Sequence, residues 1–174
     1  MACLSLRGKA LAWLAQREHS RLELQQKLER YARKVEASLD DIAPLLDALQ
    51  AAGHLSDSRF VESRVHARLP RFGNRRIEQE LRAKGVVPDE ALRAQLRNSE
   101  LLRAQRVFEA KFGRSGDASP DESFDPASDP TSKPSPQLRA RQARFLAARG
   151  FSAATVAQVL KGAGVAEDTP EEGA

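Results

Sequence analysis

The 174-residue chain is 41% hydrophobic, 30% charged and only 5% aromatic, with a formal net charge of +4. That is enough apolar material for one ordinary domain or several small helical units, but too few β-branched and aromatic runs to build a sheet. The single cysteine, Cys3, excludes an intramolecular disulfide and a thiolate metal cage, and no apolar run nears the roughly 20 residues that span a bilayer.

A reducing, cytoplasmic setting is therefore expected. The opening residues support it, because Arg7, Gly8 and Lys9 interrupt them before an export-signal core could develop.

Taken in chain order, apolar residues recur at helical spacing almost throughout. Leu6, Ala10, Leu11 and Leu14 predict a first helix. Leu24, Leu28 and Tyr31 predict a second, entered through Ser20-Arg21-Leu22-Glu23, a capping box in which serine and glutamate satisfy first-turn amides reciprocally. Ile42, Leu45, Leu46 and Leu49 mark a third that stops near Gly53, with Ser38 and Asp41 as a second capping-box candidate. A fourth opens at Ser56 or Asp57, carries Phe60, Val61, Val65 and Leu69, and is broken by Pro70 and Gly73. Ile77 and Leu81 define a short fifth helix ending at Gly85. Pro88 starts a sixth with Leu92 and Leu96, and Leu101, Leu102, Val107, Phe108 and Phe112 supply a seventh. Two more follow, Leu138 to Leu146 and Val156 to Leu160, making nine.

From Arg114 to Pro136 the composition turns to Ser, Asp and Pro, which cannot bury enough surface to offset its ordering entropy, so a flexible insert is expected at 114–136. The residues from Ala166 to the end are acidic and read as a frayed tail.

Segments echo one another. Ile77-Glu-Gln-Glu-Leu81-Arg-Ala-Lys-Gly85-Val86 and Ala143-Arg-Phe145-Leu146-Ala-Ala-Arg-Gly150-Phe151 each end an apolar helix with a basic residue, a glycine and an apolar residue, and a further helix follows. Leu24 and Leu28, followed by Ile42 and Leu46, form a looser first copy. The echoes predict an all-α chain of three tandem three-helix repeats, at 1–54, 55–97 and 98–163, with an acidic tail at 164–174. Units so small must stack to close a core.

Catalytic chemistry finds little support. His19, His54 and His66 are the only histidines, and none is spaced to ligate a metal with another. Nucleophile elbows, phosphate loops and dinucleotide fingerprints do not occur. No enzyme activity, cofactor or metal is expected.

Arginine is more informative. Arg64, Arg68, Arg71, Arg75, Arg76, Arg82 and Lys84 crowd one short region, Arg139, Arg141, Arg144 and Arg149 a second, and Arg30, Arg33 and Lys34 a third. A guanidinium offers a planar donor fork that suits phosphate and carboxylate. Each arginine alone is as well explained by a solvated helix face with local ion pairs, such as Glu78 with Arg82. The clusters together leave a polyanion or an acidic protein surface open as partner. No aromatic residues interleave with these arginines as a stacking platform would require, so Trp13, Tyr31 and the phenylalanines are assigned to the core.

Four stretches resemble the RecX regulators. They are Arg17-Glu18-His19-Ser20-Arg21-Leu22-Glu23-Leu24 with Lys27-Leu28, then Gly53-His54-Leu55-Ser56-Asp57-Ser58-Arg59-Phe60-Val61, then Phe72-Gly73-Asn74-Arg75-Arg76-Ile77-Glu78-Gln79-Glu80-Leu81-Arg82-Ala83-Lys84-Gly85-Val86, and last Phe145-Leu146-Ala147-Ala148-Arg149-Gly150-Phe151-Ser152. Their order and spacing cover all but the insert and the tail.

The resemblance implies an elongated, curved array of three-helix repeats and a cofactor-free monomer. It further implies a protein that lodges in the groove of the RecA filament on single-stranded DNA and suppresses strand exchange, ATP hydrolysis and the co-protease response. Asp57 would cap the helix opening the second repeat and Phe60 would anchor it. Arg75, Arg76, Arg82 and Lys84 lie in the family's basic central region. With Arg64, Arg68, Arg71, Arg144 and Arg149 they form the candidate surface for RecA and for single-stranded or double-stranded DNA. Two other readings stand beside this one: a helical protein that binds DNA without RecA, and a scaffold for another acidic protein.

Overall fold

A computed structural model describes residues 4–113 and 135–162. The described residues form eight α-helices and no strand: α1 (Leu6–Leu14), α2 (Arg21–Val35), α3 (Ile42–Ala51), α4 (Asp57–Arg68), α5 (Asn74–Ala83), α6 (Glu90–Phe112), α7 (Pro136–Ala148) and α8 (Ala153–Gly162). The expected all-α class is what is found, with one helix fewer than the apolar pattern suggested. The predicted sixth and seventh helices are a single helix, α6. Nothing between Leu96 and Leu101 breaks a helix. Ser99, a weak helix former, turns its hydroxyl back onto the Gln95 and Leu96 carbonyls at 3.0 and 3.3 Å.

Residues 114–134 of the expected insert, the acidic tail and Cys3 lie outside the described residues. Ser135 and Pro136, grouped with the insert by composition, instead open α7. Ser135 accepts from the Leu138 amide at 3.2 Å, and Pro136 occupies the first turn, where its missing N–H costs nothing.

The helix starts are wired less locally than their sequences suggest. Ser20 accepts from the Glu23 amide at 3.1 Å as expected, but Glu23 turns away to grip Arg17 and does not complete the box. Asp57 does not cap α4. Its carboxylate accepts from the Arg21 amide at 2.8 Å, in the first turn of α2, while Ser56 accepts from Arg59 at the start of α4. The Ser38–Asp41 box does not form either: Ser38 accepts from Asp40, and Asp41 makes no side-chain cap.

Helix ends follow one rule. After α2, α3, α5 and α7 a residue with positive φ closes the helix (Glu36, Gly53, Gly85 and Gly150), and the next amide bonds back five residues, to Ala32, Leu49, Leu81 and Leu146. Counted from the helix starts, Leu24 and Leu28 correspond to Ile77 and Leu81. α2 then runs about one turn further, which accounts for the looser first echo.

By its contacts the chain falls into two compact units, Met1–Arg68 with Glu78–Asp89, and Leu69–Ile77 with Glu90–Ala174. The division passes through α5, between Ile77 and Glu78. In the first unit α2 packs on α1 and α3, and the core is Ala10, Leu24, Leu28, Ala32, Ile42, Leu46, Leu49 and Leu55, with Phe60 also buried. In the second unit α6, α7 and α8 pack together around Ala104, Val107, Leu146, Phe151, Val156 and Val159.

Candidate functional site

The nine candidate basic residues divide between the two units. In the first, most are already neutralised. Glu80 holds both Arg64, at 2.7 Å, and Arg68, whose Nε and Nη2 donate to its two oxygens at 2.9 and 3.0 Å. Burial pushes the Glu80 carboxyl up, but the bonds from Arg68 and the charges of both arginines outweigh it and hold it below the usual range. Arg82 pairs with Glu78 one turn away at 3.2 Å, and Lys84 reaches Glu23 at 3.4 Å. α4 ends at Arg68, and Arg71 lies beyond it.

The second unit brings Arg71, Arg75, Arg76 and Arg149 to one backbone crossing. The Gly73 amide donates to the Arg149 carbonyl at 2.9 Å, and the Arg75 amide to the Gly150 carbonyl at 3.1 Å. A Cβ on Gly73 would run into the Gly150 carbonyl, so only glycine allows the two strands of backbone to meet. Arg76 lies over the Phe72 ring at 4.6 Å and donates to the Ala148 carbonyl at 3.3 Å. Arg149 lies over Phe145 at 4.6 Å and donates to the Arg71 carbonyl at 3.2 Å. Arg71 and Arg75 are exposed, and neither has a carboxylate partner among the described residues. Arg144 is exposed on α7, its Nε donating to the Ala140 carbonyl. The crossing thus presents Arg71 and Arg75, without a carboxylate partner among the described residues, beside Arg76 and Arg149, whose guanidinium carbons each stand 4.6 Å from an aromatic centroid.

Beneath it lies a buried polar pair that sequence reading missed. Arg103 and Glu100 are 7% and 6% exposed. Arg103 donates to the Phe72 carbonyl at 2.6 Å and to the Asn74 side chain, while Glu100 accepts from the Asn74 and Ser152 amides. In a run reading Leu101-Leu102-Arg103-Ala104 the arginine looks like part of a solvated face, and no local signal marks it as buried.

A second omission lies in the first unit. Trp13 packs against the core as expected but, like Tyr31, is only partly buried. They meet edge to face at 6.2 Å, with Lys9 and Lys27 over the indole at 5.3 and 4.6 Å. Beside them His19 is 1% exposed. Its Nδ1 donates to the Arg17 carbonyl at 2.9 Å, and its Nε2 accepts from Lys27 at 2.9 Å. Burial is the largest cause holding His19 below its ordinary pKa, and the Arg17 and Lys27 charges add to it.

No group of three or more His, Cys, Asp or Glu is placed to hold a metal among the described residues, and no helix there is long and apolar enough to cross a membrane. What the geometry defines is an all-helical repeat protein whose prominent surface chemistry is cationic. Residues 56–94 match the family model for the second three-helix domain of RecX. The regulatory protein RecX of Ralstonia nicotianae is 41% identical over 97% of this chain and 94% of its own length. That of Leptothrix cholodnii is 44% identical over 91% and 88%. The crystal structure of RecX from Lactobacillus salivarius has the same fold, with a TM-score of 0.65 and 18% identity over 90% of this chain and 93% of that one. The chain belongs to the RecX family of regulatory proteins.

Proposed function

We propose that this protein binds the RecA filament on single-stranded DNA and restrains it, lowering strand exchange, ATP hydrolysis and co-protease activity. On this reading it acts in the cytoplasm as a cofactor-free monomer built of repeats at 1–54, 55–97 and 98–163. The observation that carries the reading is family membership over nearly the whole chain. The arginines at the Gly73–Gly150 crossing give it a physical basis. Arg71 and Arg75 have no carboxylate partner among the described residues, and a backbone crossing that glycine alone permits holds them in place. Donors positioned in that way suit phosphate or a carboxylate-lined protein surface.

The test is RecA's ATP hydrolysis on single-stranded DNA with this protein at substoichiometric ratio. Inhibition is expected, and Arg71→Glu with Arg75→Glu should weaken it at least about tenfold, since reversing a contacting charge turns attraction into repulsion. Full inhibition by a helical double variant would remove the crossing from the reading. No inhibition by the unaltered chain would remove the reading itself, and DNA binding without RecA would then be left as the alternative.

A further inference from the structure

The first unit holds a cationic site that the arginine clusters do not predict. Its arginines are mostly tied to carboxylates: Arg17 to Glu23, Arg21 to Asp47, Arg59 to Glu18, and Arg64 and Arg68 to Glu80. Lys9 and Lys27 are different. Neither has a carboxylate partner among the described residues, and both ammonium groups rest over the same indole, Trp13, with Lys9 also 5.6 Å from the Tyr31 centroid. Arg30, Arg33 and Lys34 continue the positive charge along α2, and all three are exposed. Partial burial is the largest cause lowering the Lys27 pKa, and repulsion from Arg17, Arg30 and Lys9 adds to it, with Glu23 opposing. An arriving anion would relieve that repulsion.

We propose that Lys9, Lys27, Trp13 and Tyr31 form a contact site for single-stranded nucleic acid, in which the lysines take flanking phosphates and Trp13 takes a base. The ring decides between polyanions. An acidic peptide would satisfy the lysines and leave the indole unused, and a duplex keeps its bases inside, out of reach of a side chain lying on a helix pair. A single strand supplies both phosphates and exposed π-faces. Lys9, Lys27 and Trp13 are half-buried, and although Lys27 donates once to His19 Nε2 at 2.9 Å, each ammonium keeps N–H donors for a phosphate while the accessible part of the indole takes a base. The site refines the filament reading by giving the nucleic acid a place on this chain, and it rests on that reading for its partner.

Trp13 is the only tryptophan in the chain, so its emission reports the site directly. The full chain is titrated, without RecA, with a thymidine oligonucleotide, with an abasic phosphodiester of equal length and with inorganic polyphosphate. Saturable quenching by the oligonucleotide alone is expected. Lys9→Gln with Lys27→Gln, checked for helicity, should weaken binding roughly tenfold at low salt and flatten the dependence of log K on log salt by about 1.4, as two lost phosphate contacts require. Binding seen by anisotropy with no change in Trp13 emission would overturn the site, as would equal quenching by polyphosphate or an unaltered salt slope in the double variant. The emission measurement needs no variant and so does not depend on one folding. Inhibition of RecA by a chain whose emission ignores single strands would sink this site and keep the filament reading; quenching without inhibition would do the reverse.

Discussion

The Glu100 carboxylate accepts from the amides of Asn74 at 3.1 Å and Ser152 at 3.3 Å, and from the Thr155 hydroxyl at 2.9 Å. One side chain therefore serves the starts of both α5 and α8, where first-turn amides have no partner of their own. Glu100→Ala would leave those groups unpaired and Arg103 buried without its nearby opposite charge. A loss of about 3 kcal/mol is expected by urea denaturation, and a loss below about 1 kcal/mol would refute this role. His19 and Glu23 set the acid limb of stability. Burial lowers the folded pKa of His19 below its ordinary 6.5, so the unfolded chain binds a proton more readily and stability falls as pH drops below about 6.5, until the folded value is passed. Protonated His19 would also lose its acceptor nitrogen and face the Lys27 ammonium. Glu23 is pushed up by burial but held at about 2, from an ordinary 4.5, by Arg17 and Lys84. Its contribution is present above about 4.5 and is lost as pH falls towards 2. Melting temperature followed from pH 8 to 3 should show both declines, with the upper one abolished in His19→Gln.

Among the elements, the glycine turns after α5 and α7 each receive the start of another helix. At the first, Ser20 donates its hydroxyl to the Lys84 carbonyl at 2.8 Å, and a Cβ on Gly85 would stand 2.9 Å from that of Leu22. At the second, Gly73 meets Arg149 and Gly150 through backbone alone. The contact is the same in kind, made once by a serine side chain and once by the main chain. Gly73→Ala has no flexible neighbour to push aside, because the obstruction is the Gly150 peptide. It should cost about 3 kcal/mol or more, above the usual range for modest overpacking, measurable as a lower urea midpoint. A neutral result would mean that the two backbones separate freely. The repeated glycine was visible in the sequence as punctuation, but its partner was not, because the two halves of each contact lie 64 or more residues apart.

At the scale of the molecule, helical class, most helix positions and the echo between the segments around Gly85 and Gly150 were legible without coordinates. Each depends on neighbours within about one helical turn, where 3.6-residue periodicity and left-handed closure act. The joining of the sixth and seventh helices into α6 was harder to read, because apolar spacing alone does not show that a helix continues where no glycine or proline breaks it. The basic candidates were legible as a composition and not as a surface. Sequence places Arg64, Arg68, Arg71 and Arg76 in one run, whereas the fold spends the first two on Glu80, sets the guanidinium of Arg76 over Phe72 and leaves Arg71 without a carboxylate partner among the described residues. Lys9 and Lys27 were not read as a contact site, being single lysines on separate helices. The amino-acid sequence by itself determined what each segment becomes, since local sterics and apolar spacing act over a few residues. Only the tertiary structure decided which charges remain available, since a cation is neutralised by whatever carboxylate folding brings within about 4 Å, however distant in the chain.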